Sequence, residues 1–416
     1  MKTVPIEFKQ VVDSYQEVRR GGKAAGVDRE SIEEFEGDLE NRLYLIYNRL
    51  CSGSYHPPSV RLVEIPKKDG KKRILGIPTV GDKVAQNVVK RHLEKRLEPI
   101  FHEQSYGYRP LRGAKDALKQ VRENCLQYDW VIDLDIKSFF DEIDHELLIK
   151  ALEHVGAEKW VILYVKRWLK APMEKADGTS TARERGTPQG GVISPLLANL
   201  YLHFALDKWL TKHYPNISFV RYADDIVVHC STQEEATSVL NAIMQRLTEV
   251  GLRVNEQKTQ VVYCKDYRRK EVHAKIMFTF LGFSFQPRGA KSRIDHKTFV
   301  TFTPQISQGG QKKIRDEIRS IIHKSNQRLE MIELARLLNP KIQGWTNYYG
   351  LFSPRNLRYA LSLIDQRLAV WLRVKHKCSF KKSRHMLSVI QSKNPFLFKH
   401  WNSIYGPKSY QTARAV

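Results

Sequence analysis

The chain has 416 residues, 42% of them hydrophobic, and its 69 Lys and Arg exceed 45 Asp and Glu, giving a formal net charge of +24 and a pI near 9.7. That length supports more than one buried core, and the charge calls for a polyanionic partner, most simply nucleic acid. Five scattered Cys without a CxxC pair argue against a zinc or disulfide framework; no signal peptide at Met1–Glu7 and no apolar run of transmembrane length predict a cytoplasmic, non-membrane protein.

Residues 8–50 read as helices carrying the loop Gly21–Asp28. Residues 61–78 predict a hairpin, Arg61–Ile65 and Arg73–Ile77 about a turn at Asp69-Gly70. Its basic residues also suit a solvated edge strand. Residues 79–128 continue mostly as helix, with a loop at Tyr106–Pro110. From 129 to 265 the pattern gives strand 130–136, helices 145–155 and 157–170, and a turn at Asp177-Gly178. A glycine-rich loop at 186–191, helix 195–212, a hairpin around 222–225, helix 233–250 and strand 260–264 complete it. A hairpin set between helices predicts an antiparallel sheet backed by helices, an α+β fold rather than a parallel doubly wound sheet.

Residues 278–285 alternate aromatics as one strand would. Lys312–Leu338 carries Ile314, Ile318, Ile321, Leu329 and Leu334 at broadly helical spacing, and Arg355–Trp371 repeats this with Leu357, Leu361, Ile364 and Leu368. Residues 301–416 hold 21 Lys and Arg against 5 Asp and Glu, so 16 of the 24 excess charges lie there. Basic amphipathic helices with Trp345, Tyr348, Tyr349 and Trp401 nearby suit a nucleic-acid duplex, although Trp371 and Trp345 also read as core.

Tyr222-Ala223-Asp224-Asp225 lies between the apolar runs Ile217–Val220 and Ile226–Val228, which places two carboxylates at a hairpin tip. Adjacent like charges invite a divalent cation, and Asp equally favours turns for its local hydrogen bonds. A second acidic strand favours the cation: in Trp130–Ile136, Val131, Asp133 and Asp135 share one face. If that strand lies beside the hairpin, Asp135 and Asp224 hold two Mg²⁺ ions for in-line nucleotidyl transfer, whereas Asp133 reads as a structural residue paired with Lys or Arg.

The ordered motifs resemble those of reverse transcriptases, and more narrowly the reverse transcriptase/maturase of bacterial group II introns. They are Pro66–Arg73 with Gly76–Thr79, Gly107-Tyr108-Arg109-Pro110, Asp133–Asp141, Gly186–Gly191, Tyr222–Asp225, Gly251–Thr259, Phe280–Phe283 and Gly344–Gly350, across roughly residues 20 to 350. The resemblance implies a right-hand polymerase. Its parts would be an N-terminal extension (1–50), fingers (51–128), a palm of RRM or ferredoxin-like type with part of the fingers and the primer grip (129–299), and a basic helical thumb and maturase region (300–416).

The resemblance also implies roles. Asp135, Asp224 and Asp225 are catalytic, with Asp135, the Ile136 carbonyl and Asp224 holding two Mg²⁺, or alternatively Mn²⁺. Lys67, Arg73, Gln189 and Lys258 contact the incoming nucleotide, and Phe140 excludes a ribose 2′-hydroxyl, with Phe139 as core. Lys23 and Gly282 contact nucleic acid. Arg109 in its loop reaches template phosphate or caps a helix, and the basic charge of the last helices makes Lys312, Lys313, Arg315 and Arg319 candidate nucleic-acid contacts. The expected partners are structured intron RNA, an RNA template with its DNA primer, and dNTPs, for a monomer or homodimer. A tail ending at Val416 without clustered metal ligands matches the compact, endonuclease-free members. The alternatives are a related enzyme of phage defence, diversity generation or DNA repair, or an RNA-binding splicing cofactor without polymerase activity.

Overall fold

The computed structural model describes residues 4–21, 24–66, 72–292, 294, 296–323 and 327–405. The chain divides into two compact units, Met1–Asn124 with Tyr128–Val261 and Cys125–Gln127 with Val262–Val416.

The first unit opens with α1 (Phe8–Arg20), α2 (Ile32–Glu36) and α3 (Leu39–Ser52). Ser31 starts α2 with a reciprocal box: its hydroxyl accepts from Glu34 N, and Glu34 accepts from Ser31 N. The expected hairpin is β1 (Val60–Pro66) and β2 (Lys72–Ile77), with Ile65 opposite Arg73. Then come α4 (Val80–Leu97), capped by Thr79 Oγ1, and α5 (Ala114–Gln127). Next are β3 (Trp130–Asp135), α6 (Phe139–Glu142), α7 (His145–His154), α8 (Lys159–Lys170), β4 (Met173–Glu174) and β5 (Ser180–Thr181). The last two surround the predicted Asp177-Gly178 turn, and β4 pairs in parallel with β1.

The helix expected over 195–212 forms as α9 (Ser194–Leu202) and α10 (Lys208–His213), joined by a π-turn at His203–Asp207. Every residue of α9 except Pro195 is buried, which is why it lacks an amphipathic stripe. The catalytic-looking hairpin is β6 (Ser218–Tyr222) and β7 (Asp225–Cys230), followed by α11 (Gln233–Glu249) and β8 (Gln260–Tyr263), within which the first unit ends. The sheet order is β6-β7-β3-β8, with β7 antiparallel to both β6 and β3. α11 backs β3 and β7, burying Ala236, Val239, Ile243 and Leu247 at helical spacing.

The second unit contains a sheet of β9 (Phe278–Phe280), β10 (Phe283–Lys291) and β11 (Thr298–Ile306). Residues 278–285 are thus a hairpin rather than one strand. A turn at Leu281-Gly282 sets Phe280 opposite Phe283 and Phe278 opposite Phe285, so all four rings are buried. α12 (Gln308–Ile321), α13 (Met331–Tyr349), α14 (Pro354–Lys375), α15 (Phe380–Lys393) and α16 (Lys399–Tyr405) follow. The periodicity read across 312–338 therefore covers two helices: the backbone leaves α-geometry at Ile322, and Glu330 with Glu333 caps a fresh start. Sequence patterning misses α15 and α16.

The first compact unit ends at Val261, and within the second Phe283 packs on Tyr348, Tyr349 and Phe352. Among the described residues no helix is long and apolar enough to cross a membrane.

Candidate active site

The alternation of β3 puts Asp133 and Asp135 half-buried beside buried Ile132 and Leu134. Antiparallel register then sets Asp135 opposite Asp225, and Asp225 opposite Tyr222 on β6. Two strands separated in sequence thus deliver their carboxylates to one edge of one sheet. Ala223 takes a left-handed conformation at the tight tip, with φ +57°, which turns the chain between Tyr222 and Asp225.

This acidic edge is electrostatically loaded. Asp225 still meets solvent, yet the protein around it displaces enough water to raise its pKa, and Asp224, Asp135 and Asp133 push the same way, to about 7. Asp133 is raised to about 6, first by burial and then by Asp135, against a hydrogen bond from Gln260. Gln260 Nε2 donates to Asp133 Oδ2 at 3.1 Å, so the observed partner of Asp133 is an amide rather than the expected Lys or Arg.

Asp135 is held from several sides. Asn255 Nδ2 donates to its Oδ2 at 2.9 Å, and Asn255 N donates to its carbonyl at 2.8 Å. Thr259 Oγ1 accepts from Asp135 N at 3.2 Å. Lys258 Nζ lies 3.4 Å from Asp135 Oδ2 with its side chain 63% exposed, so this ion pair is open to exchange for another anion. Lys258 also lines the cleft described below, while the bonds that Asn255 and Thr259 of the same motif make to Asp135 are contacts that the sequence reading did not single out.

Arg221 is the other residue that sequence reasoning missed. Its guanidinium is fully buried beside an equally buried Asp207, donating through Nε at 2.8 Å and Nη2 at 2.5 Å. Nη1 donates to Asn199 Oδ1 at 2.9 Å and to the Ala223 carbonyl at 3.2 Å. Asn199 in turn donates to the Gly107 carbonyl at 2.7 Å, and Gly107 lies so close that a Cβ there would meet Ala223 N at 2.4 Å. One network therefore clamps the carboxylate-bearing tip from beneath. An Arg inside the apolar run Phe219-Val220-Arg221 was the available signal; its partner Asp207 was not legible, because the π-turn aims it inward.

A cleft of about 1050 Å³ opens on this edge, lined among others by Asp135, Ile136, Phe139, Phe140, Gln189, Asp224 and Lys258. Phe139 and Phe140 both touch it, 2% and 8% exposed respectively, so the expected division into core and gate rests on a small difference. Gln189 sits in the glycine-rich loop, its carbonyl accepting from Gly76 N of β2 at 3.0 Å. Gly190 makes that approach feasible: with φ +131°, any Cβ would stand 2.6 Å from the Gly76 carbonyl oxygen.

Arg109 is turned into its own unit. It is buried, makes a bidentate bond to Glu98, and donates to the carbonyls of His102 and Ser105 at 2.7 Å each. With its fork committed to the interior it anchors its loop. Trp401 (2% exposed) and Tyr349 (9%) are likewise core rather than duplex-facing, and Trp401 Nε1 donates to Asp365 at 2.7 Å. Lys23 and Lys67 lie outside the described residues; Arg73 belongs to β2, but its side chain is likewise outside the description. Gly282 forms the β9–β10 turn at φ +78°. Lys312, Lys313, Arg315 and Arg319 are exposed on α12, opposite buried Ile314 and Ile318.

No group of three or more His, Cys, Asp and Glu forms a ready cage for a metal ion among the described residues. Two carboxylates and a main-chain carbonyl fit a hard cation that takes its remaining ligands from water and phosphate. After burial, the neighbouring Asp224, Asp135 and Asp133 also raise the pKa of Asp225, a crowding of negative charge that such a cation relieves.

The family model described as reverse transcriptase (RNA-dependent DNA polymerase) matches residues 65–285, and that of the group II intron maturase-specific domain matches residues 311–388. Protein YkfC of Escherichia coli is 30% identical over 285 residues, covering 59% of this chain and 74% of its own length. The group II intron-encoded protein LtrA of Lactococcus lactis is 27% identical over 435 residues, covering 84% of this chain and 70% of its own. Among solved structures, a Candida albicans telomerase shares 14% identity at a TM-score of 0.47, over 92% of this chain and 68% of that one.

Proposed function

From the premise that this chain belongs to the reverse transcriptase (RNA-dependent DNA polymerase) family, we propose that it copies RNA into DNA at the β3–β6–β7 edge and binds intron RNA to assist splicing. The observation that carries this reading is the pairing of Asp135 with Asp225 across antiparallel strands, with Asp224 at the tip of the same cleft. In this reading residues 1–50 are the N-terminal extension, 51–128 the fingers, 129–299 the palm with the primer grip, and 300–416 the thumb and maturase region of a cytoplasmic protein.

Asp135, Asp224 and the Ile136 carbonyl are the groups that would hold two divalent cations, Mg²⁺ or Mn²⁺. When bound, such a pair supplies the Lewis acidity that activates a primer 3′-hydroxyl and neutralises the departing pyrophosphate. The rest is done by side chains of the chain. Asn255 and Thr259 fix the Asp135 strand end. Lys258 exchanges its exposed ion pair for a phosphate oxygen of the dNTP and stands ready to protonate pyrophosphate. Gln189 lies against the incoming base and sugar, and Lys67 and Arg73 take the triphosphate. The test is primer extension on an RNA template with purified protein; no incorporation with either Mg²⁺ or Mn²⁺ would reduce the chain to an RNA-binding cofactor.

Phe140→Ala should admit ribonucleotides, because it removes a steric exclusion rather than an attraction. Parallel incorporation of rNTPs and dNTPs on one RNA template measures it. Unchanged sugar discrimination moves the gate elsewhere, Phe139 being next.

The basic helix α12 gives a second expectation. Neutralising Lys312, Lys313, Arg315 and Arg319 together should weaken intron binding and flatten the plot of log affinity against log salt, by under about 1 unit for each phosphate no longer neutralised. Processivity should fall while single-nucleotide addition survives. An unchanged salt slope would make these side chains solvated surface and move RNA binding to the N-terminal segment.

A further inference from the structure

Helix α4 buries two polar side chains one turn apart, Asp82 and Gln86, neither of which lines the cleft. A buried carboxylate is costly unless its oxygens are hydrogen-bonded, and here each oxygen is. Asp82 Oδ1 accepts from the Tyr55 hydroxyl at 2.9 Å and from Trp168 Nε1 of α8 at 2.7 Å. Its Oδ2 accepts from Gln86 Nε2 at 2.9 Å. Burial pushes the Asp82 carboxyl up to about 6 while these three bonds pull it down, so at neutral pH it is ionised and can only accept.

An acceptor at that place dictates which way the Gln86 amide turns. With Nε2 committed to Asp82, Oε1 faces the other way and accepts from Val192 N at 2.8 Å and Ile193 N at 3.3 Å. These two N–H groups follow directly on the glycine-rich loop, which passes so close that a Cβ on Gly191 would stand 3.2 Å from Gln86 Oε1. The other end of the loop hangs on the turn after β3: Gly186 N donates to the Ile143 carbonyl and Thr187 N to the Phe140 carbonyl, at 2.8 Å each. Between the two anchors Gly191 N donates to the Pro188 carbonyl at 3.1 Å. Gln189 stands inside that tight turn and lines the cleft together with Phe140 and Asp224.

We propose that Asp82 and Gln86 are positioning residues for the incoming nucleotide: the carboxylate sets the amide, the amide holds the Val192 end of the loop, and the loop sets Gln189 against the dNTP. Neither residue touches the substrate. The proposal rests on the polymerase reading above and adds to it the part of the interior that keeps the nucleotide side of the cleft in place.

Four variants of the full chain test it. Asp82→Asn preserves volume but turns an NH₂ toward Gln86, because Trp168 Nε1 only donates and keeps the remaining oxygen. Two donors then face each other, at Gln86 or, if its amide flips, at Val192. Gln86→Asn is one carbon shorter, so its amide cannot span from Asp82 to Val192, and it introduces no such conflict. In both, KM for dNTP should rise by about tenfold or more, since displacement of a reacting group by about 1 Å can cost on the order of a hundredfold. KM for template–primer and binding of structured RNA should stay at the values of the parent. The double variant Asp82→Asn/Gln86→Glu exchanges donor and acceptor between the two positions and rebuilds every bond, so KM for dNTP should return to within about twofold of the parent. Tyr55→Phe takes one donor from Asp82 and should lower the thermal midpoint, yet it leaves the amide where it is and KM for dNTP unchanged.

KM is independent of the fraction of protein that is active, so it separates a displaced loop from lost folded protein. An unchanged KM for dNTP in Gln86→Asn overturns the proposal, as does a double variant that folds but keeps the raised KM of Asp82→Asn. A KM that rises in Tyr55→Phe in step with its lost stability overturns it too, because the effect would then belong to packing in general. A parent protein that extends no primer overturns the polymerase reading, and this proposal with it.

Discussion

Primer extension is expected to disappear in Asp135→Asn and in Asp224→Asn. Each substitution removes a negative charge from the groups assigned to the two cations while preserving side-chain volume. Loss of metal-assisted charge stabilisation is worth several kcal/mol at the transition state, so the rate should fall by at least about a thousandfold. The fold should not suffer. Asp135 and Asp224 both raise the pKa of Asp225 by repulsion, so neutralising either relieves that repulsion, and thermal stability should hold or improve. Two further readouts separate a lost metal site from a damaged fold. Added Mg²⁺ or Mn²⁺ should raise the thermal midpoint of the parent through binding to the native state and do so much less for the variants. Binding of structured RNA should be largely retained. An Asp224→Asn protein that still extends a primer in Mg²⁺ would end the assignment.

The second large effect is expected beneath the site rather than in it. Arg221 and Asp207 are buried completely and pair through two hydrogen bonds. Removing one partner strands the other charge in the interior, a loss of about 3–5 kcal/mol. Arg221→Met and Asp207→Asn should therefore lower the denaturation midpoint of the first unit strongly. The double variant Arg221→Met/Asp207→Leu should recover much of that stability, because no unpaired charge remains. Activity should not recover with it, since Arg221 also donates to the Ala223 carbonyl at the catalytic tip. Urea denaturation beside primer extension distinguishes the two effects. Single variants as stable as the parent, or a double variant with full activity, would remove Arg221 from the positioning of the tip.

Elements with a strong local signal were legible. The β1–β2 hairpin and the strands carrying Asp135 and Asp225 announce themselves through alternation and turn residues. So do α7, α8 and α11, through helical spacing. Where a local pattern ran on unbroken, it misled. The aromatic alternation of 278–285 conceals a two-residue turn that keeps four rings on one side. The apolar spacing from 312 to 338 conceals a break at Ile322. Arg109 shows the limit for single residues: a basic residue in a loop reads as a phosphate ligand until Glu98 and two carbonyls are seen to surround it.

By itself, then, the sequence determined which side chains could do chemistry here. The acidic pairs at strand ends, the glycine-rich loop, the basic helices of the last hundred or so residues and their order along the chain are local properties, set by residue type and by periods of two and 3.6. Tertiary structure alone decided which of those side chains meet. Asp135 faces Asp225 only because β3 and β7 pair in that register, and a one-residue slip would turn its carboxylate to the opposite face. Arg221 finds Asp207 only because a π-turn interrupts the helix between α9 and α10. Burial, which separates Arg109 from Arg315, is a sum over neighbours distant in sequence, and no window of residues around either position contains it.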